Sequence, residues 1–184
     1  MKIVFDTVKT PDDVQQILDL QAQNHVSNID ASVAKAQGFV TVKHEPEVLQ
    51  QMNVAAPSII ARAGTALAGY ALVMPRDFAS VVPILQPMFD LLDTLSWRGR
   101  PLHGNERWFV MGQICVAEAY RGTGVFDGLY QKMREVCVDD YDFVITEIAE
   151  RNTRSIRAHE RVGFETLHNF SDEVADWRVV VLGL

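Results

Sequence analysis

The residues Tyr120-Arg121-Gly122-Thr123-Gly124-Val125 follow a strand-like apolar run and open a helix-like one. A strand that turns directly into a helix gathers unpaired backbone N–H groups at the positive end of the helix dipole, which is an anion site. Gly122 and Gly124 lack Cβ, so the backbone can close on a pyrophosphate and turn successive N–H groups inward, while Arg121 adds a full charge. A G-x-G turn also serves as a plain connection between a strand and a helix, so the loop needs a second feature to carry chemistry. A dinucleotide fingerprint would place its third glycine at position 127, which is Asp127, and nicotinamide binding is therefore the weaker phosphate reading.

The second feature begins at Asn152, in the run Asn152-Thr153-Arg154-Ser155-Ile156-Arg157-Ala158-His159-Glu160-Arg161-Val162-Gly163-Phe164. At about 100° per residue, Asn152, Ser155 and His159 fall on one face of a helix and form a polar line along a ligand. Each also has a structural role open to it, Asn152 as a helix cap and the other two as satisfied polar groups.

Together the two segments resemble the GNAT superfamily of acetyltransferases, whose motifs read Q/R-x-x-G-x-G/A at a helix start and N-x-x-S-x-x-x-Y-x-x-x-G-F downstream. Arg121, Gly124, Asn152, Ser155, Gly163 and Phe164 stand at matching places, and the motif-level likeness covers residues 108–170. Two positions depart from the pattern: Phe126 replaces the usual Gly or Ala, and His159 replaces the usual tyrosine. The resemblance implies an α+β fold with a mixed, mostly antiparallel central sheet of six to seven strands, flanked by helices and splayed between its central parallel strands. It implies acetyl-CoA as acyl donor, with the pyrophosphate on Arg121, Gly122, Thr123, Gly124, Val125 and Phe126. Pantetheine would pair with backbone at Ile114, Cys115 and Val116, with Asn152, Ser155 and His159 alongside.

The implied reaction is N-acetylation of a primary amine on a small molecule, peptide or protein, by direct attack on the thioester. A backbone N–H near Val116 would stabilise the oxyanion. The family's tyrosine often protonates the departing thiolate; His159 could do the same or only bind the cofactor. Candidate bases are Glu147, favoured, with Glu106 and His103. Phe126 must turn its ring away from the pyrophosphate or reshape the pocket. Cys115 reads as a small buried hydrophobe rather than a nucleophile, and Tyr120 and Tyr130 as packing residues. The alternative within the same fold is a catalytically silent acyl-CoA-binding sensor.

Several elements must position these groups. Residues 2–8 read as a strand, and Thr10-Pro11-Asp12-Asp13 as a capped helix start carrying Val14, Ile17 and Leu18. Residues 24–37 are ambiguous and residues 46–52 form a short helix, together the natural substrate wall. Gly64-Thr65 joins two strands in a hairpin, and residues 82–95 read as a helix that Pro83 and Pro87 restrict or bend. Residues 98–105 read as a polar loop. Then follow strand 108–116, helix 122–138, strand 143–148, helix 152–162 ended by Gly163, and strands 164–170 and 177–182. Val125, Leu129, Met133 and Val136 form the buried stripe of the first of these two helices.

No repeat or linker divides the 184 residues, and one domain over residues 1–184 is expected. A net charge of −7 without a clustered Lys/Arg surface argues against a nucleic-acid partner, and none is expected. Cys115 and Cys137 are too few and too far apart for a metal set, and none is expected. No signal or membrane segment is read, a cytoplasmic location is expected, and a homodimer stays open.

Overall fold

The computed structural model describes residues 2–30, 32 and 38–184. Part of the ambiguous stretch, residues 31 and 33–37, lies outside the described residues. The main sheet holds β1 (Ile3–Thr7), β2 (Ile59–Ala63), β3 (Ala66–Pro75), β6 (Trp108–Val116), β7 (Phe143–Ala149), β8 (Glu165–Ser171) and β9 (Asp176–Gly183). Their order is β1-β2-β3-β6-β7-β9-β8, antiparallel except between β6 and β7. The α-helices include α1 (Pro11–Asn24), α2 (Pro46–Ala55), α3 (Gln86–Leu92), α4 (Val125–Cys137) and α5 (Thr153–Val162). This is the α+β architecture expected, with seven strands in the main sheet.

Local chemistry starts and stops these helices. The Thr10 hydroxyl accepts from Asp13 N–H while the Asp13 carboxylate accepts from Thr10 N–H, closing a capping box. Gly163 ends α5 at φ 104°, where a Cβ would be strained. Pro83 and Pro87 break the expected helix over residues 82–95 into a 3-10 turn, Pro83–Leu85, and the short α3. The expected loop over residues 98–105 instead contains part of a two-stranded hairpin, β4 (Ser96–Trp97) and β5 (Arg100–Pro101). Arg98 and Gly99 close it at φ 49° and 76°.

Two apolar layers clamp the sheet. Ile17, Met52 and Leu92 pack with Tyr70, Val110 and Ile145 on one face. Leu129 and Met133 pack with Ala71, Phe109 and Val144 on the other. Val125, Leu129 and Met133 are buried as expected, and Val136 is half-buried.

The feature that positions the site is the parting of the two parallel strands. β6 and β7 pair only from Trp108↔Phe143 to Val110↔Ile145, although both strands continue. Against β3, Leu72 faces Gln113 while Val73 faces Met111, so β6 carries one extra residue at Gly112. Such a bulge bends the strand and reverses its facing pattern. Thr146 Oγ1 donates to Met111 O at 3.0 Å where the strands separate.

A buried polar network fixes the bent strand. Tyr70 OH and Gln21 Nε2 donate to Gln113 Oε1 at 2.5 and 2.7 Å, and Gln113 Nε2 donates to Val42 O at 2.8 Å. His44 N–H donates to Gln21 Oε1 at 2.9 Å. Because each of these amide groups has its partner, removing one would strand the others in a dry interior. The strap of residues 38–44 is tied to α1 by Val40 N–H donating to Asn24 O at 3.1 Å, and it crosses the opening between β6 and β7.

Helix α4 comes close to β3 because Gly69 has no side chain. A Cβ there would lie 2.8 Å from Cys115 O and 3.1 Å from Val125 Cγ1, whereas at Gly112 the nearest heavy atom would be 3.5 Å away. Gly69→Ala should therefore cost about 1–3 kcal/mol in chemical denaturation, and Gly112→Ala under about 1 kcal/mol. Equal effects would contradict this packing.

Candidate active site

The open end of the parted strands leads into a cleft of about 540 Å³ between β6, the N-terminus of α4 and α5. At its floor the expected glycine loop is formed by Gly122 at φ 75° and Gly124 at φ 86°, with no heavy atom within 4 Å of either Cβ position. The loop is therefore open to a ligand, and α4 starts at Val125 rather than at Gly122 because Gly124 is its left-handed cap. Gly128 N–H is bonded to Gly124 O at 3.0 Å, which leaves the N–H groups of Val125, Phe126 and Asp127 as the unpaired first turn. Thr123 turns its hydroxyl back to Tyr120 O at 2.7 Å and does not line the cleft.

Arg121 lines the cleft and is held in place: its Nε donates to Val116 O at 3.1 Å and its Nη2 to Asn24 Oδ1. Three further arginines, Arg154, Arg157 and Arg161, line the cleft from α5. Their i, i+3, i+7 spacing in a chain of net charge −7 is a cationic stripe legible in the sequence. Arg161 also pairs with Asp127 at 2.5 Å across the helix ends.

On β6, Ala117 N–H bonds to Ala68 O at 2.9 Å. Alternation along the strand then sends the backbone groups of Cys115 to β3 and those of Ile114 and Val116 into the cleft. No ladder to β7 exists at that level. Ile114 therefore offers main-chain pairing and Val116 its N–H, the Val116 carbonyl already accepting from Arg121 Nε, while Cys115 does not. Burial pushes the Cys115 thiol up to about 12, so it is inert as a nucleophile.

Asn152 caps α5, accepting from Ser155 N–H at 3.3 Å, and its Nδ2 donates to Phe39 O at 3.3 Å on the strap. Asn152 and Ser155 both line the cleft. His159 does not join them on its phosphate side. It is 1% exposed, in a ring cluster with Phe126, Tyr130 and Phe164 at centroid distances of 5.0–5.5 Å. Its Nδ1–H donates to Ser155 O at 2.8 Å, so Nε2 accepts from Tyr130 OH at 2.8 Å. Burial lowers its pKa to about 4, only partly offset by the Ser155 carbonyl, and the neutral ring has no proton to give at Nε2. The acid role expected as one option for His159 thus lacks its proton. Phe126 packs its ring against the same cluster and also lines the cleft.

A second, narrower pocket of about 80 Å³ adjoins the first and shares Phe39, Val40, Ile114, Asn152 and Ser155 with it. Glu147 lines it from β7, on the sheet face of Ile145 and Val179, and its Oε2 is buried without a hydrogen bond. Burial, and secondarily the charge of Asp172, push the carboxyl up to about 7. That value suits a group that must take a proton near neutrality. Glu106 and His103 are exposed beyond the paired end of β6, on the order of 20 Å along the strand from Ile114. His103 sits 3.5 Å from Asp93, and neither residue lines either pocket. Tyr120 borders the cleft and Tyr130 is buried on His159. Among the described residues no cluster of His, Cys, Asp or Glu could hold a metal ion, and no helix is long and apolar enough to cross a membrane.

Comparison with solved structures finds the same fold over the whole chain. Ard1 from Thermoplasma volcanium superposes with a TM-score of 0.67 at 11% identity, covering 100% of this chain and 99% of that one. NAA60 from Arabidopsis thaliana, solved in complex with acetyl-CoA, gives 0.63 at 14% identity and covers 100% of both. The yncA protein from Salmonella typhimurium, solved with its cofactor acetyl-CoA, gives 0.64 at 14% identity, covering 99% and 94%. No curated protein matches significantly in sequence. The model of the acetyltransferase (GNAT) family matches residues 31–164, well over half of the chain, and includes the glycine loop, both parted strands and α5. The chain belongs to the GNAT acetyltransferase family.

Proposed function

We propose that residues 1–184 act as one domain that transfers the acetyl group of acetyl-CoA to a primary amine by direct attack in a ternary complex. The observation that carries this reading is the continuity of three parts: an open glycine loop, the unladdered backbone of Ile114 and Val116, and a pocket holding Glu147. The structural neighbours solved with acetyl-CoA support the choice of donor.

In this reading the pyrophosphate rests on the loop N–H groups of residues 122–127, with Arg121, Arg154 and Arg157 supplying positive charge at the cleft wall. Pantetheine adds to β6 as a short strand would, through Ile114 and Val116, which brings the thioester to the boundary of the two pockets. Glu147 takes a proton from the ammonium. The freed nitrogen lone pair forms the C–N bond, and a backbone N–H of β6 meets the developing oxyanion. The C–S bond then breaks with its electrons leaving on sulfur, and the surplus proton on nitrogen passes to that sulfur. His159 acts from beneath, holding the Ser155 turn and Tyr130 rather than donating a proton.

Two measurements test the two halves of the site. Gly124→Glu places a negative charge and a strained φ at the loop, and CoA affinity by calorimetry should fall more than about 100-fold; near-normal affinity would refute the loop assignment. Glu147→Gln should lower kcat by about 10²–10⁴-fold and remove a rising limb near pH 7 from the kcat/KM profile. Since the folded carboxyl titrates above its unfolded value, its ionisation costs stability as pH rises through about 7. Glu147→Gln should therefore gain on the order of 2 kcal/mol at pH 8 and nothing below about pH 4.5, by thermal denaturation. A variant that keeps wild-type turnover would rule Glu147 out as the base.

A further inference from the structure

Asn24 is the last residue of α1, at the start of the stretch that the sequence leaves ambiguous, and the fold buries it to 8% exposure at the wall of the wide cleft. Its side-chain amide is committed at both atoms. Nδ2 donates to Leu20 O at 2.9 Å, one turn back in α1, and Oδ1 accepts from Arg121 Nη2 in the glycine loop. Only one orientation of the amide serves both partners, because turning it over would set N–H against guanidinium and oxygen against carbonyl. The bond back to Leu20 therefore aims Oδ1 at Arg121.

Arg121 is held from a second side, where its Nε donates to Val116 O at 3.1 Å at the end of β6. A guanidinium is planar, so bonds on two different nitrogens fix its plane as well as its place. Without them the long stem would be free to swing into solvent, and an arriving anion would have to arrest it.

The chemistry of the partner matters as much as its position. An aspartate in the same place would hold the guanidinium but cancel the charge that the cleft offers a phosphate, and it would stand against the negative end of α1. The neutral amide aims the cation and leaves its charge. Helix α1 has no basic residue in its own last turn, so Arg121 also brings to that helix end the positive charge it favours. The same residue reaches the strap, since Asn24 O accepts from Val40 N–H.

We infer that Asn24 is a positioning residue for the acyl donor: it acts through Arg121, holding the guanidinium in one orientation at the cleft wall where the donor's pyrophosphate would lie. This rests on the reading of the cleft as the acetyl-CoA site and adds to it a residue 97 positions earlier in the chain than the arginine it directs.

A double-mutant cycle tests it, with the dissociation constant of CoA read by calorimetry. Asn24→Ala should weaken CoA about tenfold in the otherwise wild-type protein, and less than about twofold once Arg121→Ala has removed the group it acts on. Asn24→Asp keeps an oxygen in place but adds a charge, and should weaken CoA at least as much as alanine does. An equal loss from Asn24→Ala in both backgrounds, or no loss in either, would overturn the inference while leaving the cofactor site standing. So would an aspartate variant that binds CoA as the wild type does. Wild-type protein that fails to bind CoA would contradict the reading of the cleft itself, and this inference with it. Should the Asn24 variants fail to fold, Arg121→Lys decides with Asn24 intact. Lysine keeps the charge but lacks the planar fork that meets both Val116 O and Asn24, so CoA should weaken by more than about fivefold. A smaller loss would mean that charge suffices without orientation, and would overturn the inference.

Discussion

Everything functional in this molecule depends on two parallel strands that stop pairing. Parallel neighbours in a sheet ordinarily remain bonded along their shared length, because each unpaired backbone group in a buried position costs about 1–3 kcal/mol. Here β6 and β7 separate after Val110 and Ile145, and one extra residue at Gly112 gives the bend its physical cause. The groups released by that bend at Ile114 and Val116 are the same ones that face the cleft. The polar network from Tyr70 through Gln113 and Gln21 to the strap keeps the bent strand from closing again.

The two departures from the family motifs are physically one departure. Phe126 adds a large ring where the resemblance leads one to expect a small residue, and His159 places a smaller ring where a tyrosine is usual. Their rings meet edge to face at 5.1 Å, within a cluster that includes Tyr130 and Phe164. The space under the loop is thus filled from the α4 side instead of the α5 side, and the hydroxyl that reaches His159 comes from Tyr130. The loop's own N–H groups are untouched by this exchange, because they belong to the backbone ahead of the ring.

Much of the frame was legible because its causes are local. Thr10, Gly64 and Gly163 each impose a cap or turn within a few residues, and the motif resemblance supplied the mixed, splayed sheet. What escaped depends on partners distant in sequence. A one-residue bulge is invisible until β3 is laid beside β6. The strap of residues 38–44 has no periodicity, since it is held by side chains and single backbone bonds. The expected face of α5 is there, with Asn152, Ser155 and His159 all lining the narrower pocket, but only the packing shows that His159 sits at its buried end near Ile156 while Arg154 and Ala158 turn to the wider cleft. The sequence places Glu147 on a central strand, but its burial and its neighbour Trp177 follow only once β9 is laid beside β7.

The central claim is that the backbone set free where β6 leaves β7 receives the cofactor. Amide hydrogen exchange at Ile114 and Val116, followed residue by residue with and without CoA, tests it most directly. Binding should slow exchange at both amides by at least about tenfold, with Cys115, bonded to β3, nearly unchanged. Saturating CoA that protects the loop after Arg121 yet leaves Ile114 and Val116 exchanging as in the free protein would contradict the account.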